Sequence, residues 1–93
     1  MADATKKYTL EITQSAARAL AKIRAKDATA AARIAKAIDK LKTTPRPAGA
    51  KALQGEPGVL RIRIGDYRVL YTIEDAALVV LVVAVGHRRE VYR

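Results

Sequence analysis

Cysteine, tryptophan and phenylalanine are absent from this 93-residue sequence, and histidine and methionine occur once each. Without cysteine there is no disulfide, no thiolate nucleophile and no cysteine-based zinc site. The lone histidine, His87, cannot build a metal cluster. The core has to be made from Leu, Ile, Val, Ala and Tyr. Long apolar segments are missing as well. Met1 to Tyr8 holds no hydrophobic signal-peptide core, and the longest apolar run, Leu78 to Val85, is too short to cross a bilayer, so a soluble, cytoplasmic protein is expected. No carboxylate pair accompanies the basic clusters described below, which disfavours glycosidase chemistry and a two-metal nuclease. Neither a metal nor a cofactor is expected.

Negative charge is scarce, with 9 Asp and Glu against 18 Lys and Arg and a net charge of +9. A field of that sign favours polyanions: RNA, DNA, an anionic membrane surface or an acidic protein. A membrane fits worst, because the helical segments carry small, Ala-rich apolar faces instead of the bulky face that interfacial insertion needs. The length corresponds to one domain, residues 1–93, burying roughly 60 to 65% of its unfolded surface.

Lys7 to Ile12 alternates and predicts a first strand, after which Thr13, Gln14 and Ser15 offer a helix cap. Ala16, Leu20 and Ile23, then Ile34, Ile38 and Leu41, recur at helical spacing. They predict helices over 15–26 and 28–43, joined as a hairpin in which Asp27 caps the second helix, with a single bent helix as the alternative. Pro45 and Pro47 end the helical region, and a loop rich in Gly and Pro runs to Gly58. A turn at Glu74 to Ala77 precedes Leu78 to Val85, whose unbroken apolar run predicts a central strand covered on both faces. The fold class is α+β: a single small domain, β-α-α-β-β-β, with a largely antiparallel sheet and a helical hairpin on one face.

The most informative stretch is Leu60-Arg61-Ile62-Arg63-Ile64-Gly65-Asp66-Tyr67-Arg68-Val69-Leu70-Tyr71. Taken as a two-residue loop, Gly65-Asp66 places Ile64 opposite Tyr67, Arg63 opposite Arg68, Ile62 opposite Val69, Arg61 opposite Leu70 and Leu60 opposite Tyr71. One face is then apolar, with Tyr67 and Tyr71 as core residues, and the other carries three arginines. Like charges directly opposite one another destabilise a sheet, and a bound anion resolves the conflict. The planar guanidinium fork suits phosphate, so the arginine face reads as a phosphate or RNA-backbone site; the alternative is an ordinary solvated strand face.

Gly86-His87-Arg88-Arg89-Glu90-Val91-Tyr92-Arg93 leaves the last strand beside the start of the strand that holds Arg68. Arg61, Arg63, Arg68, Arg88, His87 and Tyr92 are therefore expected to share one shallow basic cleft suited to an anionic phosphoryl transition state. Arg89 adds field, and Lys51 joins the RNA-binding set. His87 is alternatively a solvated turn residue. The helical lysines Lys22, Lys26, Lys36 and Lys40 read as ordinary polar-face residues, with RNA contact as the alternative.

In Leu53-Gln54-Gly55, in the arginine hairpin and in Val85-Gly86-His87-Arg88-Arg89-Glu90-Val91-Tyr92, the chain resembles the RelE branch of the RelE/ParE toxins of bacterial toxin–antitoxin systems. The resemblance implies a metal-independent endoribonuclease that cuts mRNA in the ribosomal A site through attack of the ribose 2′-hydroxyl on the adjacent phosphate. It implies that Arg68 and Arg88 hold the scissile phosphate and that Tyr92 is the C-terminal catalytic tyrosine. Arg61 and Arg63 stand where well-known members carry lysines. Arginine is effectively never deprotonated, so the general base is then Tyr92 or His87. The implied partners are the ribosome, mRNA and a cognate RelB-like antitoxin, with operator DNA reached only through the antitoxin complex. Alternatives are a ParE-like gyrase inhibitor acting by binding alone and an inactive antitoxin-binding homologue.

Overall fold

The structure, a computed structural model, describes residues 7–87. Strand β1 (Thr9–Ile12) stops at Thr13, whose hydroxyl oxygen accepts the Ala16 N–H at 3.1 Å and so starts helix α1 (Gln14–Lys26). Asp27 serves two helices. Its backbone N–H closes α1 on the Ile23 carbonyl, and its carboxylate accepts the Ala30 N–H at 3.0 Å to start α2 (Ala28–Lys40). The helical hairpin is as expected, except that α2 ends at Lys40, where turns lead into Pro45 and Pro47.

The sheet contains β2 (Lys51–Ala52), β3 (Leu60–Ile64), β4 (Tyr67–Glu74) and β5 (Val79–His87) besides β1, in the order β1-β5-β4-β3-β2. Only β1 with β5 is parallel; the other pairs are antiparallel. This is the α+β class expected, with two changes of detail. β2 is an additional strand inside the segment read as a loop, because two residues show no periodicity. β5 runs two residues past Val85, to His87, so the last strand includes part of the segment read as a tail.

Gly65 adopts φ 59°, a left-handed conformation that glycine takes without steric cost, and the Gly65-Asp66 turn sets the β3–β4 register as expected. Opposite β4, β5 carries one extra residue: Leu70 pairs with Ala84 but Tyr71 with Val82. Thr13 spans this bulge, donating its N–H to the Val82 carbonyl at 2.9 Å and its hydroxyl to the Val83 carbonyl at 3.1 Å.

The core lies between the helices and one sheet face. Ala16, Ile23, Ala31, Ile34 and Ile38 meet Ile62, Val69, Tyr71, Val80, Val82 and Val85. Burial of such side chains at about 25 cal/mol per Å² is the main force holding the layers together. Tyr71 is 0% exposed, and its hydroxyl donates to the Pro45 carbonyl at 2.7 Å, tying the post-helical loop to the core. At the surface, Arg46 forms a two-pronged contact with Asp75 at 3.2 and 2.9 Å, and the Tyr8 hydroxyl donates to the same carboxylate at 2.7 Å. Three separate segments meet there. Among the described residues no helix is long and apolar enough to cross a membrane.

Burial pushes the Tyr71 phenol above its ordinary pKa of 10.0, and the hydrogen bond to Asp75 does the same for Tyr8. Both phenols hold their protons more tightly folded than unfolded. Their contribution to stability is therefore complete below about pH 10 and lost as pH rises through the raised values. Tyr71→Phe is expected to cost about 1 kcal/mol at neutral pH by removing the bond to Pro45, and to flatten part of the alkaline decline. Thermal melts of both proteins between pH 7 and 11 check this.

Candidate functional site

Two cross-strand rows on the sheet face turned away from the helices carry the basic residues. One row reads Lys51, Arg61, Leu70, Ala84, and the next reads Arg63, Arg68, Gly86. Strand alternation sends Ile62, Val69 and Tyr71 to the core, which obliges their neighbours Arg61, Arg63, Arg68 and Leu70 to share the other face. Within a row, directly opposed side chains start about 5 Å apart, so Arg63 and Arg68 are forced into proximity. Lys51 and Arg63 are exposed, Arg61 and Arg68 half-buried, and Leu70 is 7% exposed. The Arg68 Nε is withdrawn from solvent, which places the root of that guanidinium in the sheet surface. Gly86 adds no side chain beside it.

Next to Arg61 lies a cavity of about 300 Å³ lined by Ala52, Leu53, Gln54 and Arg61. Its loop is pinned by the Leu53 N–H on the Val59 carbonyl at 2.9 Å. Gln54 offers amide donors and an acceptor there. The face thus combines clustered cations with a neutral hydrogen-bonding group, an arrangement that can hold a phosphodiester and stabilise extra negative charge on it. Among the described residues no group of three His, Cys, Asp or Glu could hold a metal ion.

Four of the expected site residues, Lys51, Arg61, Arg63 and Arg68, are therefore brought together. His87 is not. It pairs with Tyr67, which puts it on the helix side of the sheet; the two rings meet edge to face with centroids 5.9 Å apart at 79°. The expectation that His87 joins the arginine cleft is corrected for a physical reason. The strand continues through Gly86, and alternation then assigns residues 86 and 87 to opposite faces. Arg88, Arg89 and Tyr92 lie outside the described residues. Sequence reasoning missed the small cavity at Gln54 and a larger one, about 570 Å³, between α1 and the end of β4–β5, lined in part by Arg18, Lys22, Lys26, Tyr67 and His87. The spacing of the three α1 cations by four residues was the available signal.

Residues 10–92 match the family described as ParE toxin of type II toxin-antitoxin system, parDE. The toxin–antitoxin complex RelBE2 from Mycobacterium tuberculosis contains a chain 31% identical, with 96% of this chain and 100% of that chain aligned and a TM-score of 0.76. The chain belongs to the RelE/ParE toxin superfamily. It is accordingly a toxin of the type II toxin–antitoxin kind. The isolated RelE toxin of E. coli is 29% identical over 91% of this chain and 90% of that one, with a TM-score of 0.72. The chromosomal ParDE system of P. aeruginosa, at 16% identity, 87% and 96% coverage and a TM-score of 0.70, shares the fold. Among curated proteins no sequence matches. The RelE/ParE scaffold thus carries, in this toxin and among the described residues, three guanidiniums on the sheet face turned away from the helices.

The opposed Arg63 and Arg68 give a direct thermodynamic test. Arg63→Gln is expected to stabilise the anion-free protein by roughly 0.2–1 kcal/mol and to show a smaller rise in melting temperature on addition of phosphate than the parent. Melting curves at constant ionic strength measure both effects.

Proposed function

We propose that this toxin is a ribosome-dependent endoribonuclease that cuts mRNA in the A site. The observation that carries the reading is the placement of Arg61, Arg63 and Arg68 in adjacent rows of one sheet face. In the proposed reaction the ribose 2′-oxygen attacks the adjacent phosphorus while its proton passes to a base. The bond to the 5′-oxygen breaks and that oxygen takes up a proton, leaving a 2′,3′-cyclic phosphate and a 5′-hydroxyl. Arg68 and Arg88 hold the phosphate and meet the charge that develops on its oxygens. Tyr92 is the base in this reading. His87 lies across the sheet from Arg68, which supports the choice. The cytoplasm is the site of action, a RelB-like antitoxin is the inhibitory partner, and operator DNA is met only through that complex.

The match to the ParE family favours a second reading, inhibition of DNA gyrase by binding alone. Such a binder has no chemical need for Arg68, Arg88 and Tyr92 together. Induced expression followed by mapping of mRNA ends separates the two. Codon-phased cuts support the nuclease, and a DNA-damage response without cuts supports gyrase.

Arg68→Ala and Arg88→Ala are each expected to abolish growth inhibition while leaving fold and antitoxin binding in place, because an arginine paired with transition-state charge contributes more to rate than an arginine outside the hydrophobic core does to stability. Retained toxicity in both, with expression verified, overturns the phosphate assignment. Protein-free RNA should be cut poorly, since a shallow face cannot by itself force the 2′-oxygen, phosphorus and leaving oxygen into line. Comparable cutting with and without ribosomes contradicts this.

With Tyr92 as base, single-turnover cleavage on ribosomes should keep rising above neutral pH, toward the ordinary phenol range near ~10. Tyr92→Phe should slow it on the order of 10² or more. His87→Gln should leave the shape of the pH profile unchanged; a plateau just above pH 7 that this substitution removes makes histidine the base.

A further inference from the structure

The cavity between α1 and the end of the β4–β5 pair lies on the opposite side of the sheet from the arginine rows, and the proposed cleavage chemistry leaves it unused. Its volume is about 570 Å³, within the range of sites that hold a small ligand or one segment of a larger one. One wall is a ridge of three cations, Arg18, Lys22 and Lys26, each exposed and each one helical turn from the next. Among the described residues none of the three takes part in an ion pair. Like charges four residues apart on a helix repel, so the ridge is an electrostatic conflict that a bound anion relieves. The facing wall is aromatic: Tyr67 and His87, in edge-to-face contact, are both half-buried and both border the cavity. Ser15, in the first turn of α1, also lines the cavity, and that turn contains no acidic residue. No Asp or Glu lines the cavity among the described residues.

We infer that this cleft is a second nucleic-acid site, holding a segment of single-stranded RNA with its phosphates along the Arg18–Lys22–Lys26 ridge and a base against the Tyr67–His87 wall. A cation track facing aromatic side chains is how sequence-tolerant single-strand grooves are built. An acidic peptide satisfies the ridge alone and has no use for the aromatic wall, which is why RNA is the favoured occupant. The ligand class rests on the RNA-directed reading of the toxin. The site itself does not depend on the chemistry at Arg68. RNA is then gripped on both sides of the sheet, so the far cleft positions the molecule while the arginine face acts on it.

The test is fluorescence anisotropy with the full chain and a labelled uridine hexaribonucleotide, titrated at several salt concentrations. The triple variant Arg18→Gln, Lys22→Gln, Lys26→Gln changes only exposed positions, and circular dichroism verifies its fold. It is expected to bind at least about tenfold more weakly, with a salt dependence shallower by about 2 in log–log slope, since each phosphate contact on a single strand contributes about 0.7. His87→Ala is expected to weaken the hexamer about fivefold without altering an abasic oligomer of equal charge. An unchanged slope in the triple variant overturns the site. So does loss of polyglutamate binding with RNA binding intact, which identifies an acidic protein as the occupant. The two readings can fail separately. Ridge variants that bind RNA normally while Arg68→Ala is inactive remove the cleft and leave the nuclease. Ridge-dependent RNA binding by a toxin that makes no mRNA cuts does the reverse.

Discussion

The turn at Gly65-Asp66 decides which way every side chain of β3 and β4 points. A slip of one residue in this hairpin would carry Ile62, Val69 and Tyr71 out of the core and put the arginines in their place, an exchange that no neighbouring interaction offsets. Register is therefore enforced from both sides: by the left-handed glycine at the turn and by the loss of buried apolar area on slipping. The basic face is a by-product of that enforcement. Once the core residues are seated, Arg63 and Arg68 have nowhere else to go.

The bulge in β5 works on the same principle at the other end of the hairpin. The extra residue opposite the Leu70–Tyr71 step lets Tyr71 meet Val82, while Leu70 and Arg68 meet Ala84 and Gly86, small residues that add little bulk beside the basic rows. Thr13 accommodates the bulge by satisfying two carbonyls there and also capping α1. A single threonine thus coordinates strand, helix and bulge. Through Thr13, the helix that forms one wall of the far cleft is tied to a strand irregularity more than ten residues from the nearest arginine of the hairpin in sequence.

Periodicity made most of this legible in advance. The caps at Thr13 and Asp27, the helical hairpin, the β3–β4 register and the central position of β5 all rest on local patterns that burial then reinforces. β2 was not legible because two residues carry no period, and its pairing is defined only by the edge of β3. The parallel docking of β1 on β5 was not legible either, since nothing local encodes which strand a distant segment joins. His87 shows where composition misleads: proximity to arginines in sequence says less about shared space than parity along a strand. Of the arginine face, Lys51, Arg61, Arg63 and Arg68 were readable, whereas the cavity at Gln54 depends on how a loop folds back.

The parallel pair of β1 and β5 joins Thr9 to Val79 and Ile12 to Val82, segments separated by both helices and three strands. Contacts of that sequence separation form late, because the loop must be closed before they return any energy. During synthesis the helices and the β3–β4 hairpin emerge first, yet β1 has no neighbour and the helices have only part of their floor until β5 appears. Closure of the core over both helices consequently waits until β5 has been made. Any partner that recognises the finished five-strand sheet meets a chain in which β5 is already in place.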